Sequence, residues 1–395
     1  MMGPMRTMGV EEELLVVDAD GVPVPEGPEA LAVAARRGDG EDVEQHDRAD
    51  RGDADAAPET AHLAPELKAQ QVELGTPVCE TLAEVDAQLR HWRERADAAA
   101  LAAGARIAAL ATSPVAVDPV TTAGERYGRL VDDFGQTARD VLTCGCHVHV
   151  SVADDEEGVA VLNRIRLWLP VLTAMTANSP YWQGQDTAYA SFRSQVWQRW
   201  PSAGPTGPFA DAADYHRLVD AMLQTGTVLD AGMVYFDARL SARWPTVEVR
   251  SADVALRVED AVTLAGLVRG LVETAARDAR DGGAVPEMRP EILRLAAWRA
   301  GRSGLSGDLV HPRTGRPVAA AAVLTDLLEH VRPALADAGD EERVSDGVAA
   351  LLSRGTGADL QRRVRQDTGD LTAVVRAAVA ATTEGDPRAA VGASS

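Results

Sequence analysis

The sequence is short of lysine, cysteine and aromatic residues, and each shortage removes a class of chemistry. Lys68 is the only lysine; every other basic residue among the 39 Lys+Arg is arginine. No Gly-Lys-Ser/Thr tripeptide occurs, which excludes a Walker-type loop, because that loop places its lysine on the β- and γ-phosphates. Pyridoxal chemistry needs a Schiff-base lysine, and Lys68 is its sole candidate. The three cysteines are Cys79, Cys144 and Cys146. An odd number, with two of them one residue apart, does not make a disulfide framework. No run of about 18 uncharged apolar residues is found, so no membrane span is expected. The N-terminus carries no apolar signal core, and the expected compartment is the cytoplasm.

What the chain has in excess is negative charge. Its 395 residues carry 60 Asp+Glu against 39 Lys+Arg, a formal charge of −21. Such a surplus argues against a nucleic-acid or anionic-membrane binder, since both require a basic face. A nucleotide substrate is still allowed, because metal ions can meet its phosphates. The hydrophobic fraction of 46% is ample for a buried core.

Strand-like runs alternate with helical ones in the first two thirds of the chain. Residues 8–18, 69–74, 106–114 and 143–152 read as strands, and 233–253 as two more, the second at 246–250. A Pro/Gly-rich connection over 21–31 followed by a short helical piece, a helix over 80–104 and a second long helix over 156–180 separate them. Beyond about residue 258 the pattern is helical almost to the end, and residues 385–395 form a small, polar tail that frays. Residues 39–59 hold nine acids and two arginines, a net −7, and are expected to form a mobile surface loop with little to bury. Residues 181–209 carry Trp182, Trp197 and Trp200 in a long polar-aromatic stretch of the kind that usually binds something. The expected fold is a single α+β domain over 1–395, an antiparallel sheet backed by helices with a mostly helical C-terminal part.

Alternation along the strands groups ionisable side chains by face. Glu11 and Glu13 share one face while Glu12 takes the other; Gln71 and Glu73 share a face, as do His147 and His149, and Glu248 and Arg250. A single such strand is the ordinary solvated face of an antiparallel sheet. Several acidic strands facing one cavity would repel unless cations sit between them. Oxygen-rich ligation with one imidazole suits Mg²⁺ or Mn²⁺. Cys144 and Cys146 are too tightly spaced for a zinc knuckle, and the cysteines are expected to be small core residues. The His-x-His pair also occurs in metal-dependent amidohydrolases, but their barrel needs regular strand–helix alternation, which the late helical region does not supply.

Five blocks, GVEEE (9–13), QVELGTPVC (71–79), CGCHVHVSV (144–152), NSPYWQGQDTAYASFRSQVWQRWPSAGP (178–205) and PTVEVRSADV (245–254), occur in order. Together they resemble the glutamate–cysteine ligase type 2 family, most closely its YbdK-type carboxylate–amine ligases, over about residues 8–312. The resemblance implies a glutamine synthetase-like catalytic fold, with a curved antiparallel sheet that cups Mg²⁺ (or Mn²⁺) and ATP. It implies a carboxylate, typically the γ-carboxylate of glutamate, activated by phosphorylation and joined to an amine such as L-cysteine. Motif by motif, Glu11, Glu13, Glu73, His147 and Glu248 are implied metal residues, and Arg250 and Arg193 the arginines near the phosphoryl group and the substrate carboxylates. Gln71, His149, Trp197 and Arg199 are further candidates for substrate or ATP contact. The expected partners are ATP, a glutamate-like carboxylate and a small amine, without nucleic acid or membrane; a homodimer is the default assembly. A binding protein that kept the cup without turnover is the alternative from another class; its mark, loss of a metal glutamate or phosphate arginine, is not seen.

Overall fold

The computed structural model describes residues 5–50 and 62–383. Its centre is an antiparallel sheet of seven strands. These are β1 (Met8–Val17), β2 (Leu63–Pro65), β3 (Gln71–Gly75), β4 (Arg106–Ala108) and β5 (Gly145–Ser151), joined by two later strands. After the small hairpin β6 (Tyr181–Trp182) and β7 (Gln185–Asp186), the sheet is completed by β8 (Ala238–Leu240) and β9 (Thr246–Asp253). The order is β2-β3-β1-β5-β9-β8, with β4 pairing the C-terminal end of β1. A second small hairpin, β10 (Asp308–Val310) with β11 (Pro317–Ala319), interrupts the otherwise helical C-terminal part.

The helices are α1 (Gly27–Arg36), α2 (Val43–Asp50), α3 (Leu82–Ala102), α4 (Glu125–Phe134), α5 (Gln136–Asp140), α6 (Asp155–Ile165), α7 (Leu169–Met175) and α8 (Arg193–Trp197). They continue as α9 (Ala212–Gln224), α10 (Val258–Arg280), α11 (Pro290–Ser303), α12 (Ala320–Ala338), α13 (Glu341–Arg354), α14 (Gly357–Thr368) and α15 (Leu371–Thr383). Helix α3 starts in a capping box: Thr81 Oγ1 accepts the Glu84 amide at 3.2 Å and the Glu84 carboxylate accepts the Thr81 amide at 3.1 Å. That reciprocal pair satisfies two amides the first turn would otherwise leave unpaired. The buried valines and leucines of β1 and β5 face α3 and α10, those of β9 face α6 and α7, and one large core fills the space between.

Two expectations are corrected here. The long helix expected over 156–180 is broken into α6 and α7, bent by 66°. Pro170 sits in the first turn of α7; it has no amide hydrogen, and its ring would collide with the carbonyl four residues back. The acidic segment 39–59 is not simply a loop, because its first half folds as α2. Glu41 and Asp39 are buried and paired, Glu41 with His46 at 2.7 Å and Asp39 with Arg95. Pairing supplies the stabilisation that apolar burial does not. The rest of that segment, and the tail expected to fray, lie outside the described residues. Among the described residues no single helix is long and apolar enough to cross a membrane; the bent α6–α7 pair passes by length and composition only, and nearly all of it is buried in the fold.

Behind the sheet, Glu12 meets Arg93 of α3 in a two-point pair, Nε–Oε2 2.8 Å and Nη2–Oε1 2.7 Å, both side chains at most 1% exposed. Arg93 also donates to the carbonyls of Ala255 at 2.6 Å and Leu256 at 3.1 Å. One guanidinium thus fixes β1, α3 and the turn after β9 relative to one another. Glu12→Ala leaves that charge buried without a partner, and is expected to cost about 3–5 kcal/mol. Urea unfolding would measure this, and an unchanged midpoint would refute the role.

Candidate active site

The face of the sheet opposite Arg93 lines a cavity of about 570 Å³. Register brings its polar side chains together: Glu13 pairs with Glu73, Glu11 with His147, and His149 with Glu248. The β5–β9 pairing carries a bulge, since Cys146 faces Ala252 whereas Val148 faces Val249. The extra residue lies at Arg250-Ser251, opposite His147. Bulges re-aim side chains, and Arg250 Nη1 lies 3.4 Å from His147 Nδ1. Arg250 also pairs with Glu248, whose other flank is held by Arg239, Nε–Oε2 2.7 Å.

Two groups of three possible ligand atoms result, each with its atoms within 4.8 Å of one another: Glu11, His147 and Glu248, and Glu13, Glu66 and Glu73. Glu66 was not among the expected residues. It lies on the β2–β3 turn, and nothing in its local sequence marks it; only the pairing of β2 with β3 delivers it to Glu73. The chemistry of both groups fits divalent cations of the Mg²⁺ kind, with carboxylate oxygens dominant and one imidazole. His147 Nε2 and His149 Nε2 are buried without a hydrogen-bond partner, although His149 Nε2 stands 3.3 Å from Glu11 Oε1.

The electrostatics follow from burial and crowding. Burial pushes Glu66 up to about 7, with Glu13 adding to it. Glu73 is raised well above the carboxylate range by burial and by Glu11, Glu66 and Glu13. Burial would raise Glu248 too, but Arg250 and Arg239 outweigh it and hold it at about 2. Against burial, His149 and His147 keep Glu11 well below its ordinary value. His147 itself is lowered, by burial and then by Arg250, which keeps its ring neutral and able to ligate.

Of the other expected residues, Gln71, His149 and Trp197 line the cavity. Gln71 donates to the Thr143 carbonyl at 2.8 Å. Arg193 is buried against Gly145: a Cβ there would fall 2.2 Å from Arg193 Nη2, so any side chain at 145 would displace the guanidinium. Arg193 is also tied to the end of β9, because Ser179 and Ser191 both donate to Asp253 at 2.8 Å while Ser179 Oγ accepts the Arg193 amide at 3.0 Å. Neither Arg193 nor Arg199 is among the lining side chains, and Arg199 is exposed. The cysteines are all buried and free, and Cys144 and Cys146 belong to the core. Lining residues that sequence reasoning missed include Arg126, Asp230, Tyr235 and Arg239.

A raised carboxyl makes ionisation costly in the folded state. Glu66 therefore favours the metal-free fold below its ordinary 4.5 and loses that contribution as pH rises through about 7. Glu248, held at about 2, stays ionised across this window. Added Mg²⁺ is thus expected to raise the melting temperature more at pH 8 than at pH 5.5, and Glu66→Gln to remove most of that difference. Thermal melts with Mg²⁺ or with chelator decide it, and equal shifts at both pH values would be the contrary result.

A sequence profile described as Glutamate-cysteine ligase family 2 (GCS2) matches residues 7–377. The chain is 50% identical over 375 residues to the "Putative glutamate--cysteine ligase 2" of Streptomyces coelicolor, covering 95% of this chain and 98% of that one. It is 49% identical over 367 residues to the "Putative glutamate--cysteine ligase 2-1" of Streptomyces avermitilis, covering 93% and 96%. Among solved structures, the glutamate–cysteine ligase of Francisella tularensis in complex with AMP superposes with a TM-score of 0.67 at 12% identity, covering 99% of this chain and 91% of that one. The bifunctional glutathione synthetase of Pasteurella multocida gives 0.67 at 16% identity, covering 96% of this chain; the chain spans about half (53%) of that protein. These two likenesses show a shared fold, that of the glutamine synthetase-like ligases. The antiparallel sheet, its helical backing and the match along almost the whole sequence establish that this chain belongs to the glutamate–cysteine ligase family 2.

Proposed function

We propose that the protein is an ATP-dependent carboxylate–amine ligase that phosphorylates a carboxylate, the γ-carboxylate of L-glutamate, and forms an amide with an amine of the L-cysteine class. The observation that carries this reading is the pair of carboxylate-rich groups on one sheet face, within reach of Arg250 and Arg239. Phosphoryl transfer asks mainly for positioning and charge neutralisation. Glu11, His147 and Glu248 would hold one divalent cation, and Glu13, Glu66 and Glu73 a second. When bound, such cations neutralise the phosphates of ATP.

The chain's own residues supply the rest. Arg250, buried at the bulge, presents a permanent positive charge to the oxygens of the transferred group, and burial strengthens that interaction. It carries a buried Nε without a hydrogen-bond partner. Arg193, packed behind Gly145 and outside the cavity lining, keeps Nε and Nη2 without hydrogen-bond partners as well; a substrate carboxylate that reached it would find a two-point donor. Arg239 spans Glu248 and the carbonyls of Gly232 at 2.8 Å and Val234 at 3.1 Å, so it fixes the cavity wall to the sheet. The aromatic side chains of Tyr127, Trp197, Trp200 and Tyr235 form part of the cavity lining.

Purified protein with Mg²⁺, glutamate and a suitable amine is expected to release ADP and phosphate, and chelation to stop it. Release of neither with any glutamate–amine pair would overturn the proposal. Glu248→Gln is expected to lower turnover on the order of a hundredfold or more; near-wild-type turnover would remove Glu248 from the site.

A further inference from the structure

Six of the seven tryptophans pack against another aromatic or histidine ring, as Trp92 does on His62 and Trp197 on Trp200. Trp244 is the exception. Among the described residues its ring has no ring partner and its indole N–H no hydrogen-bond acceptor, and it is 62% exposed. It nevertheless lines the cavity that contains the two carboxylate-rich groups. Its neighbour Arg243 lines the same cavity, is exposed, and has no side-chain ion pair or hydrogen bond among the described residues.

Trp244 stands at the tip of the β8–β9 hairpin, and hydrogen bonds hold that tip in shape. The Ser241 amide donates to the Thr246 carbonyl at 3.0 Å and the Thr246 amide to the Trp244 carbonyl at 2.7 Å. Ser241 Oγ accepts the Trp244 amide at 3.3 Å, and Thr246 Oγ1 lies 3.0 Å from His149 Nδ1. Glu248 follows four residues after Trp244, on the order of 13 Å of extended chain. In-line phosphoryl transfer sets the attacking carboxylate and the leaving ADP on opposite sides of the transferred group. With the reacting phosphate at the buried glutamates, the other end of the nucleotide must extend toward an open lip of the cavity. The exposed pair Arg243 and Trp244 forms such a lip. A flat, unpartnered indole offers a nucleobase a face to stack on, and the unpaired guanidinium beside it favours a ligand that carries phosphates. Of the proposed substrates only ATP has a planar ring; glutamate and an amine of the cysteine class have none. We infer that Trp244 is the stacking platform for the adenine ring of ATP and sets nucleotide affinity from outside the metal-binding part of the site. This inference rests on the ligase reading of the same cavity.

The test is equilibrium binding of ADP with Mg²⁺, measured by calorimetry on the wild type and on Trp244→Ala, Trp244→Leu and Trp244→Phe. The alanine and leucine variants are each expected to bind ADP about tenfold more weakly. The phenylalanine variant is expected to stay within about threefold of wild type, because a ring face and not apolar bulk holds the base. In turnover, Trp244→Ala is expected to raise KM for ATP while leaving KM for glutamate within about twofold. Wild-type ADP affinity in Trp244→Ala, a leucine variant that binds as well as the phenylalanine variant, or a wild type that does not bind ADP would each overturn the inference. An active wild type whose ADP affinity ignores residue 244 would leave the ligase reading standing and strike this one. Release of neither ADP nor phosphate with any glutamate–amine pair would instead sink the ligase reading. ADP binding that still followed the ring at 244 would then support the nucleotide subsite by itself.

Discussion

Like-charge repulsion in a confined space governs this protein. Five glutamates, Glu11, Glu13, Glu66, Glu73 and Glu248, converge on one face of a sheet with two histidines between them. Such a set is tolerable only with counter-charge, and the chain provides part of it. Arg250 and Arg239 hold Glu248 ionised, while burial and neighbouring carboxylates raise Glu66 and Glu73 against the pull of Arg126 and Arg250. The chain's own arginines thus offset Glu248 more completely than Glu66 and Glu73, where a cation would relieve the repulsion. Under the proposed function, cations held there would also carry the phosphates of ATP.

The remaining architecture keeps those groups in place. Glu12 and Arg93 lock the back of β1 to α3, so the strand carrying Glu11 and Glu13 cannot slide without exposing a buried ion pair. Sliding by one residue would also turn every side chain to the other face. Asp253 ties the Ser179–Ser191 segment to the end of β9 and so fixes Arg193. Arg239 links the wall loop to Glu248. Polar contacts at the edges of the sheet thus carry the positional information, and the apolar core behind supplies the bulk of the stability.

How much was legible in the sequence depended on whether the signal was local. The strand alternation of Glu11/Glu13, Gln71/Glu73, His147/His149 and Glu248/Arg250 assigned each pair to a face, and each pair shares the cavity. The same logic sent Glu12 and Cys146 to the opposite face, where both are buried. The failures were non-local or conformational. Composition read residues 39–59 as a loop, but part of the segment forms α2, with Asp39 before it paired to the distant Arg95. Periodicity ran through Pro170 and missed a bend. Arg199 stood near Trp197 in sequence, yet it is exposed and outside the cavity lining.

The sequence by itself determined which side chains share a strand face, because a period of two is intrinsic to an extended backbone. It also determined, through a single lysine, that positive charge lining the cavity falls to arginine. Only the tertiary structure decided which faces meet. Register paired Glu13 with Glu73 and His149 with Glu248, the bulge turned Arg250 toward His147, and the β2–β3 turn added Glu66. The Arg126–Asp230 pair, 104 residues apart in the chain, exists solely through folding. Hydrogen-bond registry and loop closure act between residues far apart in sequence, and no local pattern encodes them.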